Sequence, residues 1–356
     1  LPIPPAGRDL RIDTLRALAA LAVCWHHLNA PQLPPDLESS TRWLSAITRH
    51  GYLGVSVFFV ISGLCIGHVW QRANSAGEFL FFRLRRIFPP YWASLVLIVA
   101  LALLARWRHG INDMTPHPLP TSAVAWLATL TLFTEPATAI KSINWVYWSL
   151  SYEVAFYLTL GAAFFCPPRF RANALILLTL SSALIAVFVG RNTGSQPFYF
   201  GLWPQFVLGV AVAYKTTEPN AARRLAAAAI VAVLVVAFST HPRHALIVAD
   251  SSSAGGLTAL GTWLILLLPT PPAIILFRAL AWLGIRSYSL YLIHVPLGVY
   301  LGHRWLVRAQ PNALVFFLGI IAITLLLIIA ADLFYRVCEK PFVSRPKAIK
   351  EHNPQP

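Results

Sequence analysis

The sequence predicts an all-α polytopic membrane protein of about ten transmembrane helices with both termini in the cytoplasm. Three observations lead there. Hydrophobic residues make up 57% of the 356-residue chain and charged residues only 12%, about half of what a soluble domain uses to cover its surface. The mean hydropathy is +0.63, and the apolar residues arrive in long blocks. Those blocks are close to the roughly 17–25 residues that a helix needs to cross a bilayer core, and lipid cannot satisfy an open sheet edge. Third, the basic residues collect between alternate blocks.

The blocks run approximately over 12–30, 52–70, 89–106, 145–166, 173–190, 198–215, 222–239, 256–271, 285–303 and 313–335. With the N-terminus inside, five basic groups fall in the cytoplasm. They are Arg83, Arg85 and Arg86; Arg169 and Arg171; Lys215, Arg223 and Arg224; Arg278 and Arg286; and Arg336, Lys340, Arg345 and Lys347. Lys and Arg in cytoplasmic loops fix orientation, which accounts for the net charge of +15 without nucleic acid. The first block follows Arg8, Arg11 and Arg16 in the manner of a signal peptide. Leu28 stands where a small residue should precede a cleavage point at Ala30, so the block reads as a retained first helix.

Residues 107–144 resist this pattern. Ser122 to Phe133 is apolar but short, between Pro120 and Pro136, and counting it as a span would put Arg169 and Arg171 outside. The segment reads as an extracytoplasmic excursion containing a half-helix or re-entrant piece. Residues 31–51, with Pro31, Pro34 and Pro35, read as a second outer loop. Residues 1–344 form one transmembrane domain and 345–356 a polar cytoplasmic tail. Cys24, Cys65, Cys166 and Cys338 are scattered singly, as apolar filler rather than a disulfide framework. No His/Cys cluster has metal-ligand spacing.

Ionisable groups inside spans are costly and usually functional. Arg16 and His27 are eleven residues apart, which is three turns plus about 20°, so they share a face about 16 Å apart along the axis. The alternative is a snorkelling Arg and an interfacial His at the two helix ends. Asp13 lies three residues before Arg16 and can pair with it. Arg83 and Arg86 share a face at i, i+3 and suit phosphate recognition, or serve only as a topology signal. Ser149 and Glu153 are one turn apart, among Trp145, Tyr147, Trp148 and Tyr152, which suit an interfacial belt or a sugar-stacking wall. Ser287, Tyr291 and His294 form one polar stripe that should face the bundle interior.

These residues together resemble the acyltransferase-3 family, the membrane O-acyltransferases of bacterial surface glycans and some natural products. Arg16 and His27 look like its first-helix signature. Gly54-Val-Ser-Val-Phe-Phe-Val-Ile-Ser-Gly63 looks like its second helix, and Arg83-Leu-Arg-Arg86 like its R-x-x-R loop. Trp148-Ser-Leu-Ser-Tyr-Glu153, Ser287-Tyr-Ser-Leu-Tyr-Leu-Ile-His294 and Glu339-Lys340-Pro341 fit three further blocks. Each motif is weak alone, but six in order are specific, and they run from about residue 10 to 343. The resemblance is to the stand-alone form: some members add a C-terminal SGNH-type hydrolase domain, and this sequence ends soon after its last block. Ser56 stands where many members have Asp.

The resemblance implies an acyl-CoA donor, most often acetyl-CoA, and a glycan acceptor at the bacterial inner membrane. In that reading Arg83 and Arg86 hold CoA phosphates at the cytoplasmic mouth. His27 is the general base, Glu153 orients or charge-stabilises His27, and Arg16 holds the donor or stabilises developing charge. Trp148, Ser149, Tyr152, Tyr291 and His294 are candidates for acceptor binding. One continuous cavity should join the arginines to His27 and Glu153. A transporter or flippase of lipid-linked glycan would use the same polar residues as a path, although no inverted repeat is visible. A small-molecule, macrolide-type O-acyltransferase would share the core. Homo-oligomerisation is left open by the sequence.

Overall fold

The computed structural model describes residues 9–29, 35–109, 119–193, 199–239, 253–269, 275–309 and 311–343. The tail 345–356, Arg8, Pro31 and Pro34 lie outside the described residues. Among those described, every regular element is helical. α1 (Leu10–Asn29) leads through the short α2 (Pro35–Ser40) and α3 (Arg42–Thr48) into α4 (Gly54–Arg72). Then come α5 (Ala76–His109), the short α6 (Ala123–Leu130), α7 (Trp148–Ala162) and α8 (Pro168–Thr193). α9 (Trp203–Tyr214), α10 (Pro219–Ser239), α11 (Ser253–Leu267) and α12 (Ile275–Ile285) follow. α13 (Ser287–Ile293) runs on in π-helical turns over His294–His303 to α14 (Arg304–Arg308), and α15 (Ala313–Phe334) ends in a π-helical turn over Tyr335–Glu339.

Five described stretches are long and apolar enough to cross a membrane: Arg42–Arg72, Ala76–Trp107, Pro168–Asn192, Pro219–Ser239 and Ala313–Phe342. The chain is therefore a multi-pass membrane protein. α1 is not among the five; its Asp13, Arg16, His26 and His27 lower its hydropathy. α9 has 12 residues, and at about 1.5 Å per residue it covers about half of a hydrocarbon core. Outward faces are apolar: Val96, Leu177, Leu184, Phe188, Leu326 and Ile329 are each at least 66% exposed, a surface that suits lipid and not water.

Inside, the bundle closes on aromatic rings. Phe206 stacks on Phe156 at 4.3 Å and meets Phe59 at 4.6 Å, and Trp203 lies 4.9 Å from Phe156. α4 and α9 approach so closely that a Cβ on Gly63 would collide with the Phe206 carbonyl, and one on Gly209 with the Val60 carbonyl. Small residues permit this backbone contact, on which helix association in lipid depends.

Three sequence expectations need correction. The arginine motif is not a loop. α5 passes unbroken through Pro89 and Pro90, carrying Arg83, Arg85 and Arg86 in its first half. Phe79, Arg83, Ile87, Tyr91, Leu95 and Ile98 are all buried along one stripe, and burial of that stripe holds one helix through the two prolines. Second, 285–303 is not one regular helix. Pro296 cannot donate an i→i−4 bond, and the chain takes wider turns from His294 onward. Third, residues 275–285 are helical, and Arg286 is not a solvated loop cation. It is 7% exposed, its Nε donates to Asp332 Oδ1 at 2.5 Å, and its guanidinium lies 3.8 Å from the Trp282 ring centre. The described part of 107–144 holds the eight-residue α6, about 12 Å long and too short to cross. Tyr91 Oη and Trp92 Nε1 of α5 donate to the Thr129 and Leu130 carbonyls at its end, at 2.5 and 3.0 Å.

Candidate active site

Five helices supply the walls of one cavity of about 90 Å³, room for several waters or one phosphate-sized group. α1 contributes Arg16 and, two turns on, Val23. α5 contributes Arg83 and Arg86, which the i, i+3 spacing puts on one face. α4 brings Ser62 and Cys65, α7 brings Ser149, Glu153 and Tyr157, and α13 brings Ser287, Tyr288 and Tyr291.

The charges around this space do not balance. Arg16 Nη2 makes a long contact, 3.5 Å to Cys65 Sγ. Arg83 is 7% exposed and its Nε has no partner among the described residues. Glu153 Oε1 accepts from Ser62 Oγ at 2.9 Å and from Tyr157 Oη at 2.5 Å, and both Arg83 and Arg86 lie within its electrostatic reach. Glu339, 2% exposed, accepts from Ser289 Oγ at 2.5 Å, within reach of Arg86 and Arg16. Among the described residues, three guanidiniums thus meet one carboxylate on the wall, Glu153, and a second just off it, Glu339. A buried cation without a partner is costly, so this geometry suits an anion.

A second polar group sits beyond the first. His27 Nδ1 lies 2.8 Å from His294 Nε2, and His294 Nδ1 lies 2.7 Å from the Tyr291 carbonyl oxygen. The Trp145 ring packs edgewise against the His27 ring, with centres 4.4 Å apart. His27 is one turn past Val23 on α1, and His294 is one turn past Tyr291, so each follows a residue of the cavity wall. Neither histidine is itself part of that wall. Tyr291 Oη is bonded to Ser149 Oγ at 3.0 Å and to the Val146 carbonyl.

The structure therefore gathers Arg16, Arg83, Arg86, Glu153, Ser149 and Tyr291 at one cavity, and His27 with His294 a turn away. Two expectations change. The partner of His27 is His294 and not Glu153, whose bonds go to Ser62 and Tyr157. The cavity lined by the arginines does not have His27 on its wall. Trp148 and Tyr152 also lie off the cavity wall and pack against Phe59, with ring centres 6.2 Å away in each case. Sequence reasoning missed Ser62, Tyr157, Tyr288 and Ser289, and gave Glu339 no role. Tyr157 was readable at i+4 from Glu153, and Glu339 as a carboxylate ending an apolar block. Ser62 stands in the second-helix motif, but its spacing gave it no partner.

A family model described as an acyltransferase domain, of the acyltransferase-3 type, matches residues 9–333. The chain belongs to the acyltransferase-3 family. The matched span takes in all five helices of the cavity. Among relatives, the peptidoglycan O-acetyltransferase OatA of Listeria monocytogenes is 26% identical over 96% of this chain and 58% of its own length. The O-acetyltransferase OatA of Staphylococcus aureus is 26% identical over 95% of this chain and 57% of its own length. A Komagataeibacter xylinus protein named as a membrane-bound transacylase, BcsY, is 31% identical over 82% of this chain and 73% of its own length. The chain thus spans less than three fifths of the OatA proteins. No solved structure matches.

Proposed function

We propose that the protein is a membrane O-acyltransferase that moves an acyl group, normally acetyl, from cytoplasmic acyl-CoA to a hydroxyl of an extracytoplasmic or lipid-linked glycan such as O-antigen or exopolysaccharide. One observation carries the reading. Arg16, Arg83 and Arg86 surround an intramembrane cavity, and the two helices that follow its wall outward, α1 and α13, bring a histidine pair together one turn further on. The relatives' names, peptidoglycan O-acetyltransferase and transacylase, agree with a glycan acceptor and with acyl transfer.

In this reading the chain makes about ten passes through a bacterial inner membrane, with both termini inside. The distribution of basic residues supports that orientation. The unpartnered Nε of Arg83 and the excess of guanidinium charge fit an anionic donor. Bound acyl-CoA supplies an activated thioester. Arg83 and Arg86 hold its phosphates through paired N–H groups. Arg16 steadies the charge that develops on the thioester oxygen. His27 takes the proton of the acceptor hydroxyl as that oxygen attacks the thioester carbon, and the proton then passes to the departing thiolate. Glu153 offsets the guanidinium charge and does not orient His27. Ser149 and Tyr291 stand where the donor and acceptor spaces meet, and Trp145 flanks the base. Trp148 and Tyr152 support this region from behind.

The test uses purified full-length protein in nanodiscs, radiolabelled acetyl-CoA and a surface-glycan acceptor. Wild type should transfer label to the glycan. His27→Ala should insert and fold yet lose transfer by about 10²-fold or more, the scale of a lost general base. A stably inserted His27→Ala variant with near-normal transfer overturns the mechanism. A wild-type protein that moves glycan across the bilayer without consuming acetyl-CoA overturns the function.

A further inference from the structure

The histidine pair is anchored at one end by the backbone, and that decides where its protons sit. His294 is 1% exposed and begins the π-helical stretch. Tyr291 belongs to the α-helical turn just before it, where the His294 N–H still bonds to the Leu290 carbonyl. His294 Nδ1 lies 2.7 Å from the Tyr291 carbonyl oxygen. A carbonyl can only accept, so His294 Nδ1 carries the hydrogen. In a neutral imidazole the other nitrogen is then a bare acceptor. That acceptor, His294 Nε2, faces His27 Nδ1 at 2.8 Å. His27 Nδ1 must therefore donate, which leaves His27 Nε2 as the bare lone pair.

We infer that His294 is the positioning residue of the base: it fixes His27 in the Nδ1–H tautomer, so that Nε2 faces the acceptor as the proton-accepting nitrogen. This rests on the reading of His27 as the base. His294 does through a neutral imidazole and a backbone carbonyl what a carboxylate does in other base–orienter pairs. When His27 Nε2 takes a proton, the ring becomes cationic. Its Nδ1–H bond to His294 then becomes charge-assisted, so the same contact stabilises the protonated base. No proton needs to leave the pair, because His294 only accepts from His27 and only donates to the backbone. The Trp145 ring packs edgewise against the His27 ring, with centres 4.4 Å apart, and restrains it further.

The test is ¹⁵N NMR of histidine-labelled full-length protein, with His27→Ala to assign the signal, beside steady-state transfer. Wild-type His27 should show the Nδ1–H tautomer. In His294→Met, of similar bulk but offering His27 only a weak thioether acceptor, the tautomer should become mixed. Its kcat should fall on the order of a hundredfold, with KM for acetyl-CoA changed less than about threefold. His294→Gln, whose Oε1 can stand where Nε2 stood, should recover kcat to within about tenfold of wild type. A merely structural role would not move the tautomer and would not be rescued by the amide. An Nε2–H tautomer in wild type, or a His294→Met protein with unchanged tautomer and kcat, overturns the inference. If His27→Ala stays active while NMR reports the Nδ1–H tautomer, the base reading fails and the control of the tautomer by His294 stands.

Discussion

Replacing Glu153 by Gln should destabilise the free protein and yet tighten its hold on an anionic donor. Glu153 Oε1 accepts from Ser62 Oγ at 2.9 Å and Tyr157 Oη at 2.5 Å. Bonds to a charged group are worth about 1.5–3 kcal/mol and neutral ones about 0.5–1.5 kcal/mol, so the swap weakens the two by about 1–3 kcal/mol together. It also removes the carboxylate that three guanidiniums meet on the cavity wall. A spherical space of 90 Å³ has a radius of about 3 Å, and a further contact distance of about 3 Å puts an anion at its centre about 6 Å from the carboxylate. At an effective dielectric of about 20, unit charges at about 6 Å repel by about 3 kcal/mol. Relief of that repulsion corresponds to as much as about a hundredfold in affinity. Thermal unfolding of detergent-solubilised protein, followed by tryptophan fluorescence with and without CoA, reads both effects. Glu153→Gln should melt lower than wild type alone and gain more from CoA. A variant that binds CoA no better than wild type would show that Glu153 does not face the donor, and the charge account of the cavity would fall.

The remaining predictions concern the same framework. Arg83→Lys and Arg86→Lys should each weaken CoA binding, because the planar fork is lost, and for Arg83 the loss should differ little between low and high salt, since a residue 7% exposed is poorly screened; titration at two ionic strengths checks it. Gly209→Ala drives a Cβ into the Val60 carbonyl and should cost about 1–3 kcal/mol or more as a lowered melting temperature, whereas Gly77→Ala, with nothing within 4 Å, should not lower it. Asp332→Asn removes the charge that Arg286 Nε meets at 2.5 Å and Arg336 Nε at 2.8 Å. With Arg286 buried but Asp332 20% exposed, it should cost about 1–3 kcal/mol, again read as melting temperature.

Helices were legible because a bilayer writes a length onto the sequence: α8, α10 and α15 each stand within a few residues of an apolar block. α12 was hidden by the charge of Arg278 and Arg286, which read as a solvated loop until Trp282, Tyr335 and Asp332 closed around Arg286. The arginines of α5 read as a loop because they fall between the apolar blocks 52–70 and 89–106. The stripe from Phe79 to Ile98 carries the correction, and it was already present as an i, i+4 pattern. At the site, helical periodicity put Arg16 and His27 on one face and grouped Ser287 with Tyr291. It could not reveal that His294, 267 residues from His27, would be its partner, or that Glu153 would turn to Ser62. Those pairings follow from how helices pack, which no local spacing encodes.

The length of α5 has a consequence for the membrane around it. Its 34 residues span about 51 Å, against a hydrocarbon core of about 30 Å. The half before Pro89 is tied inward, with Phe79 fully buried and the Ile87 carbonyl held by Tyr288 Oη at 3.0 Å. The half after Pro90 turns Val96, Leu103, Leu104 and Trp107 outward, each at least 48% exposed. A thicker or thinner bilayer therefore works on the half after Pro90, at a fraction of a kcal/mol per Å of mismatch, and the unbroken helix carries that load to the turn bearing Arg83 and Arg86. Acyl-chain length in the surrounding membrane thus becomes a setting on the arginine-lined cavity, applied with no ligand at all.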